Sequence, residues 1–336
     1  MIQQAIQQLI ETKDLSRAEA RQVMDQIMSG QATDAQIGAF LIALRCKGES
    51  VDEIAGCAQV MREKATAIDT SREDVIDTCG TGGDGSGTFN ISTTVAFVAA
   101  GAGLCVAKHG NRAMSSKCGS ADVLQELGVD IEATPEKVGR CLDEVGIGFL
   151  FAPMLHGAMK HAIGPRKEIA TRTVFNVLGP LTNPAGAKRQ LIGVYEGALT
   201  DKLAGVLQEL GSVRAFVVHG AGGLDEIALS GQTRVSELCD GAVQTSEISP
   251  EDFGLQVAEP EALQGGDAGE NARILRAVLD GQEGPPQDVV LLNAAAAIAA
   301  GGIAADMKEG LERARASIDS GSARAVLDEL VQVSKG

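Results

Sequence analysis

Apolar side chains recur at helical spacing throughout the first 66 residues, where no strand pattern is present. A Ser or Thr is followed three residues later by Glu or Gln at 16–19, 33–36 and 50–53, which is the capping-box signature of a helix start. Apolar residues three or four positions apart follow each signature. The pattern predicts a small all-helical N-terminal domain whose apolar stripes serve packing rather than chemistry.

Beyond residue 70 the pattern alternates between strands and helices. Short apolar runs predict strands at 75–76, 104–107, 147–151, 191–195 and 215–218, and an antiparallel or edge strand at 234–238. Helical patterns occupy 95–101, 120–127, a segment from Thr134, 200–210, 271–279, 289–300 and a long final stretch at 311–330. This alternation predicts an α/β fold, a mostly parallel sheet flanked by helices.

Three segments are less regular. Residues 156–172 predict helix that is broken at Gly164-Pro165, and residues 176–187 predict a turn-rich connection because they contain Gly179-Pro180 and Asn183-Pro184. Residues 250–269 are polar and irregular.

Ligands bind beyond the carboxyl ends of the strands in sheets of this kind. Three loops that follow predicted strands are rich in glycine, charge or hydroxyl groups: 77–94, 108–120 and 219–231. We therefore expect these loops to converge on one side of the sheet.

The first loop has five glycines between Gly80 and Gly87, and a helix pattern follows it. Glycines let backbone N–H groups approach a ligand, and a helix start adds unpaired donors, so the loop predicts a phosphate site. Neither common fingerprint fits: the Walker lysine is missing, and the G-x-G-x-x-G spacing lacks its later acidic residue. The alternative is an ordinary glycine-rich turn.

The second loop holds a local cationic cluster of Lys108, Arg112 and Lys117, with hydroxyl groups at Ser115, Ser116 and Ser120. Cations mixed with serines at a strand end suit a di- or polyphosphate. The alternative is a solvated loop with incidental cations.

The third loop places Asp225 beside Glu226 just past a strand end. Magnesium favours a few carboxylate oxygens together with phosphate oxygens, so the pair predicts an Mg²⁺ site opposite the phosphate loops. The alternative is a surface acid pair.

Composition narrows the possible partners. The 336-residue chain has a net charge of −16, which disfavours a nucleic-acid partner or an anionic membrane surface. Its seven cysteines are scattered without a CxxC pair, the pattern of reduced thiols in a cytoplasmic protein. No signal peptide or membrane-length apolar run is present. An anionic substrate then needs a local cationic pocket.

Other catalytic signatures are absent from the sequence. The four histidines have no zinc-site spacing, and no G-x-S-x-G elbow occurs. Arg166 follows Gly164-Pro165 and is either a surface arginine or a clamp for a substrate carboxylate.

Six motifs occur in order along nearly the whole chain. They are Gly80-Thr-Gly-Gly-Asp84, Asn90-Ile-Ser-Thr93, Lys108-His-Gly-Asn-Arg112, Gly164-Pro-Arg166, Asn176-Val-Leu-Gly-Pro-Leu-Thr-Asn-Pro184 and Gly223-Leu-Asp-Glu226. Together they resemble the anthranilate phosphoribosyltransferase family. The resemblance implies transfer of a phosphoribosyl group from phosphoribosyl pyrophosphate to anthranilate in tryptophan biosynthesis, with Mg²⁺, by a cytoplasmic homodimer.

The resemblance also implies roles for individual residues. Its phosphoribosyl pyrophosphate contacts are Gly80, Gly82, Gly83, Asp84, Thr88, Asn90, Ile91, Ser92, Thr93, Lys108, His109, Gly110, Asn111, Arg112, Ala113, Met114, Ser115, Ser116 and Ser120. Its anthranilate contacts are Gly80, Asn111, Ala152, Pro153, His156 and Arg166, and its metal ligands are Ser92, Asp225 and Glu226. Lys108, Asp225 and Glu226 act electrostatically in catalysis, without a clear general base. Met159 stands where some members carry a tyrosine.

The implied architecture is nucleoside phosphorylase/phosphoribosyltransferase-like. It has a helical domain of residues 1–70, into which residues 156–190 pack, and an α/β domain of residues 71–155 and 191–336. A pyrimidine nucleoside phosphorylase and a non-catalytic nucleic-acid-binding relative share this architecture. The acid pair and the segment 176–184 favour the transferase over the first, and the net charge disfavours the second.

Overall fold

A computed structural model describes residues 1–113 and 116–336 of the chain. Its N-terminal unit is a bundle of α1 (Ile2–Ile10), α2 (Arg17–Met28), α3 (Asp34–Lys47) and α4 (Val51–Lys64). All three expected capping boxes are formed: each Ser or Thr side chain accepts the third amide of its helix, and the Glu or Gln side chain returns the bond. The all-helical prediction is confirmed, because local capping and the apolar stripe agree.

One sheet of seven strands forms the larger unit. The strands are β1 (Val75–Gly80), β2 (Cys105–Gly110), β3 (Ile147–Phe151), β4 (Arg189–Gly193), β5 (Arg214–Gly220), β6 (Thr233–Cys239) and β7 (Ala242–Ile248). Their order is β3-β2-β1-β4-β5-β6-β7. The first five are parallel, and β6 and β7 are antiparallel. The mostly parallel sheet is confirmed, and the strand order reverses between β1 and β4, where such sheets bind ligands.

Helices cover both faces of the sheet. Beyond the N-terminal bundle the helices are α5 (Ile91–Gly101), α6 (Ser120–Leu127), α7 (Pro135–Glu144), α8 (Ala152–Leu155), α9 (Lys160–Ile169), α10 (Phe175–Leu178), α11 (Leu199–Glu209), α12 (Ala268–Leu279), α13 (Pro285–Gly301), α14 (Met307–Asp319) and α15 (Ser322–Lys335). Leu191 packs with α5 and the C-terminal helices, whereas Ile192 packs with α11 and the bundle, as strand alternation requires. Residues of α9 and α10 belong to the bundle's core.

The structure corrects the expectation of a helix break at Gly164-Pro165, because α9 runs through both residues. Proline removes one backbone hydrogen bond, yet the helix continues past it and Pro165 is buried. The final stretch is divided into α14 and α15, since Gly321 adopts a φ of 77° between them.

Strand β7 was not predicted from its polar sequence. A two-residue Asp240-Gly241 turn, with φ values of 50° and 73°, joins it to β6. That dipeptide is a strong hairpin signal, and it could have revealed the strand.

Across the described ranges, no helix has both the length and the apolar character needed to cross a bilayer.

Candidate functional site

The three loops converge where the strand order reverses, as expected. The Gly82 amide donates to Asp225 Oδ2 at 2.7 Å, and the Ser92 amide donates to Glu226 Oε1 at 3.1 Å, which join the first loop to the third. Asn90 Nδ2 donates to the Cys118 carbonyl at 3.2 Å, which joins the first loop to the second.

Two glycines at strand ends allow this convergence. A Cβ atom on Gly193 would lie 1.5 Å from the Asp225 carbonyl oxygen, and one on Gly80 would lie 2.6 Å from Asp225 Oδ2. The third loop therefore crosses directly over the ends of β1 and β4, and no larger residue fits beneath it.

Three carboxylates meet in this crossing. Asp225 Oδ2 accepts from Gly82, and Asp84 Oδ2 lies 3.5 Å from the Asp225 amide. Burial, then the charge of Asp84, raises the pKa of Asp225 to about 7. Burial, then the neighbouring Asp225, raises the pKa of Glu226 well above its usual value. If all three were ionised, their negative charge would exceed what the surroundings neutralise.

Lys108 is the cation that faces this cluster. It is only 3% exposed, and its ammonium donates to the Thr78 carbonyl and, at 3.3 Å, to Ser92 Oγ. Its charge opposes the rise in the pKa of Glu226. One buried lysine balances one carboxylate, so the cluster retains the capacity to hold a cation.

The donor set fits Mg²⁺. Ser92, Asp225 and Glu226 present hydroxyl and carboxylate oxygens, which are the hard ligands that this ion prefers. Within the residues that the structure describes, no three His, Cys, Asp or Glu side chains form a closed metal cage. Magnesium in such sites is bound by one or two carboxylates and by substrate phosphates, so an open carboxylate pair is sufficient on the protein side.

The cations of the second loop do not form the expected single cluster. Lys108 points into the carboxylates, Lys117 is exposed, and Arg112 Nη1 pairs with Asp122 Oδ1 at 3.0 Å. Asp122 Oδ2 also accepts the Ala113 and Gly119 amides, each at 2.9 Å. Asp122 thus shapes this loop, and the sequence interpretation missed it although it stands in the first turn of α6.

The remaining residues of the second loop form its open rim. Asn111, Arg112 and Ser116 are exposed, and the Asn111 amide donates to Ser120 Oγ at 3.2 Å. Met114 and Ser115 lie outside the described residues.

The side chain of Asn90 connects the first loop to α12 as well as to the second loop. Its Oδ1 accepts from Asn271 Nδ2 at 2.9 Å, and Asn271 Oδ1 in turn accepts the Gly266 amide at 2.8 Å. Thr88 pairs with Gln264 in an isolated β-bridge. A strap of residues 263–267 therefore holds the first loop, which no local sequence signal indicated.

The helix-start residues differ in how they reach the site. Ser92 is partly exposed, whereas the side chains of Ile91 and Thr93 are buried. The Thr93 hydroxyl has no hydrogen-bond partner among the described residues. Of these three side chains, only that of Ser92 is open to the loop side.

His109 and His156 form a buried pair beside the phosphate loops. Their Nε2 atoms lie 3.1 Å apart. Burial, then the neighbouring imidazole, lowers the pKa of His109 to about 3, and burial lowers that of His156 to about 4. Both rings are neutral at pH 7. Asp77, also fully buried, accepts from the His109 amide at 3.1 Å and from Asn183 Nδ2 at 2.8 Å.

Arg166 lies on α9 with its guanidinium 4.9 Å from the centre of the Phe175 ring. Burial lowers its pKa. No carboxylate of the described residues lies within 4 Å of it. A partly buried arginine without a protein carboxylate suits a substrate carboxylate.

Ala152 and Pro153 begin α8 directly after β3, at the carboxyl edge of the sheet.

Comparisons with known proteins agree along the chain. Residues 3–65 match the helical bundle domain of a glycosyl transferase family, and residues 72–324 match the a/b domain of that family. An anthranilate phosphoribosyltransferase of Anaeromyxobacter dehalogenans is 60% identical over 98% of each chain. One of Geobacter sulfurreducens is 56% identical over 98% of this chain and 99% of its own.

Solved structures give the same result. The Thermus thermophilus enzyme superposes with a TM-score of 0.94 and 44% identity over 99% of each chain. The Saccharomyces cerevisiae enzyme in complex with PRPP and Mg has a TM-score of 0.89 and 31% identity over 99% of this chain and 98% of its own. The sequence motifs, the converging loops and these full-length similarities lead to one conclusion: the chain belongs to the anthranilate phosphoribosyltransferase family.

Proposed function

We propose that the chain transfers the phosphoribosyl group of 5-phosphoribosyl 1-pyrophosphate to the amine of anthranilate. The products are N-(5-phosphoribosyl)anthranilate and pyrophosphate, in tryptophan biosynthesis. The observation that carries the proposal is the meeting of two phosphate-type loops and a carboxylate pair, which matches the activity named for relatives that are 60% identical over 98% of the chain.

In this reaction the anthranilate nitrogen bonds to C1 of the ribose while the bond from C1 to the pyrophosphate oxygen breaks. The nitrogen then loses a proton. An aromatic amine is neutral and nucleophilic at pH 7, so positioning contributes more than a strong base. The largest demand is to stabilise negative charge on the departing pyrophosphate.

We assign the phosphate groups to the first two loops. The exposed backbone at Gly83 and the positive end of the α5 dipole would face the anion, and Lys108 adds a fixed positive charge. The Gly82 and Ser92 amides instead hold Asp225 and Glu226 in place. The described residues of the second loop, from Lys108 to Ala113 with Ser116 and Ser120, contribute its other donors.

We assign Mg²⁺ to Ser92, Asp225 and Glu226, with Asp84 adding negative charge nearby. The ion, when bound, offsets the charge of the diphosphate. The carboxylates themselves would attract the cation, and they hold the first and third loops together.

We assign anthranilate to the side nearest Arg166, whose guanidinium would bind its carboxylate. Gly80 and Asn111 lie at the boundary with the ribose, and Ala152, Pro153 and His156 follow β3 toward the outside. The neutral His109–His156 pair keeps that wall free of positive charge.

We also propose a domain division and an assembly. Residues 1–70 with 156–190 form the helical domain, residues 71–155 and 191–336 form the α/β domain, and two copies form a homodimer in the cytoplasm. The packing of α9 and α10 in the bundle core supports this division. Light scattering on the purified chain should give a mass near twice 34.7 kDa.

The test is loss of anthranilate fluorescence on mixing enzyme, phosphoribosyl pyrophosphate and Mg²⁺. We expect loss only when all are present, with one pyrophosphate released per anthranilate. Asp225→Asn with Glu226→Gln should lower the rate at least a hundredfold, from the loss of charge stabilisation. The matched control is Glu73→Gln with Asp74→Asn, which changes two consecutive, exposed acidic residues outside the three loops. This variant should retain the rate. Binding of phosphoribosyl pyrophosphate without fluorescence loss would point to another acceptor.

A further inference from the structure

A buried asparagine stands behind the carboxylate pair. Asn293 lies in the middle of α13 and is fully buried, in a helix whose neighbouring residues are Leu292 and Ala294. Burying a side-chain amide is costly unless its polar atoms are hydrogen-bonded, so its partners indicate why it is there.

Two of its three hydrogen bonds go to one residue. Asn293 Oδ1 accepts the Ile227 amide at 2.9 Å, and Asn293 Nδ2 donates to the Ile227 carbonyl at 2.9 Å. Its third bond, from Nδ2 to the Val289 carbonyl at 2.9 Å, ties the side chain to its own helix. The side-chain amide therefore bonds to both the N–H and the C=O of Ile227, as a strand backbone does in a sheet. The bond to Val289 fixes the orientation of the Asn293 side chain.

Ile227 directly follows Glu226. The amide that Asn293 accepts belongs to the peptide that links these two residues, so the side chain fixes the plane of that peptide. On the other side, a Cβ atom on Gly220 would lie 2.5 Å from the Glu226 carbonyl oxygen. The backbone of Glu226 is thus held between β5 and α13.

The rest of the loop is closed by short local bonds. The Gly220 amide donates to the Leu224 carbonyl at 2.8 Å, and the Ala228 amide donates to Thr233 Oγ1 at 3.0 Å. These bonds lie on either side of the acid pair. Asn293 connects Ile227, the residue that follows the pair, to α13 in the core.

We propose that Asn293 is a positioning residue that orients Glu226 for the divalent cation. The inference rests on the proposed function, because it assigns Asn293 to the same metal pair. Asn293 acts through Ile227 and touches neither substrate, so its loss should weaken the contribution of the metal more than that of the phosphate loops.

The experiment measures binding of phosphoribosyl pyrophosphate by calorimetry without anthranilate, once with excess Mg²⁺ and once with EDTA. The ratio of the two affinities is the Mg²⁺ enhancement. Asn293→Ala should lower this enhancement about tenfold while the affinity in EDTA stays within twofold of wild type. Asn293→Ser, which keeps one hydroxyl, is the second variant in case the alanine form does not fold, and it should give a smaller loss.

Ser334→Ala is the matched control. Ser334 is 2% exposed and accepts the Asp130 amide at 3.1 Å, so its removal also deletes a buried hydrogen bond, but far from the acid pair along the chain. It should lower stability and leave the Mg²⁺ enhancement unchanged.

The outcomes separate the two proposals. Equal loss of affinity with and without Mg²⁺ in the Asn293 variants, or an unchanged enhancement, would overturn the positioning role alone. An absent enhancement in the wild-type enzyme would overturn the metal assignment, and the positioning role with it.

Discussion

Arg166 combines a partly buried charge with the absence of a carboxylate partner among the described side chains. Its contact with Phe175 holds the guanidinium plane without neutralising it. A guanidinium held in this way can form a bidentate bond to a carboxylate.

Arg166→Ala should raise the KM for anthranilate about tenfold to a hundredfold, since charged hydrogen bonds contribute about 1.5–3 kcal/mol. The KM for phosphoribosyl pyrophosphate should stay within twofold. Initial rates with each substrate varied in turn measure both constants. Lys167→Ala, at the exposed neighbouring position on α9, is the control. An unchanged anthranilate KM would refute the assignment.

The His109–His156 pair makes the fold sensitive to acid. Each pKa is lower in the folded chain than the usual 6.5, so the folded state prefers neutral rings. Their contribution to stability is present above about pH 6.5 and is lost as the pH falls toward 4. For His109 alone the loss at pH 5 is about 2 kcal/mol, from 1.36 kcal/mol per pH unit.

Urea unfolding between pH 7.5 and 5 measures this loss together with the opposite contribution of Asp225, whose raised pKa stabilises the folded state as the pH falls. Changing both histidines to Gln should remove the destabilising part, so the free energy of unfolding should fall less, or rise more, toward pH 5 than in wild type, even though stability at pH 7.5 is lower. Equal slopes in the two proteins would mean that other groups cause the acid sensitivity.

At the scale of elements, the first loop depends on the strap formed by residues 263–267. The Gly265 amide donates to the Gly87 carbonyl at 2.9 Å, and the Phe89 amide donates to the Leu263 carbonyl at 3.1 Å. Asn271, on α12, connects the strap to Asn90. Helix α12 thus supports the loop from behind.

Asn271→Ala should raise the KM for phosphoribosyl pyrophosphate severalfold, because Asn90 and the strap lose their shared partner. It should also cost about 1–3 kcal/mol of stability, the usual penalty for unsatisfied buried groups. Steady-state kinetics and thermal unfolding measure the two effects. Asn271→Asp, which keeps the acceptor for the Gly266 amide but loses the donor to Asn90, should retain more stability than the alanine variant. A stability loss with unchanged kinetics would limit Asn271 to a structural role.

Which elements could be predicted depended on whether their cause is local. The capping boxes at Ser16, Thr33 and Ser50 act within one turn, and the glycine-rich loop carries its own conformational requirement, so both were predictable. Asn271 and Asn293 gain their roles from partners 181 and 66 residues away, and no local pattern marks such pairs. The pairing of Arg112 with Asp122, which divided the expected cationic cluster, likewise depends on the fold of the loop.

At the scale of the whole molecule, the bundle and the sheet share one apolar core through α11, yet polar contacts between them reach the site. Arg172, between α9 and α10, is such a contact. Its guanidinium lies 3.9 Å from the centre of the Tyr195 ring, beyond β4, and also donates to the Gly83 carbonyl. The Tyr195 amide in turn donates to Thr81 Oγ1 at 3.2 Å. The connection between the two units therefore also holds the glycine-rich loop.

Arg172→Ala should loosen this loop, because the loop keeps its strap but loses its link to the helical unit. We expect the KM for phosphoribosyl pyrophosphate to rise about threefold to tenfold, and amide hydrogen exchange to become faster at residues 80–88 than elsewhere. Arg172→Lys keeps the charge without the planar stacking surface and should fall between wild type and alanine. Lys160→Ala, an exposed cation on α9, controls for the loss of charge. Faster exchange spread evenly over the chain would indicate general destabilisation, whereas unchanged exchange at 80–88 would show that the strap alone holds the loop.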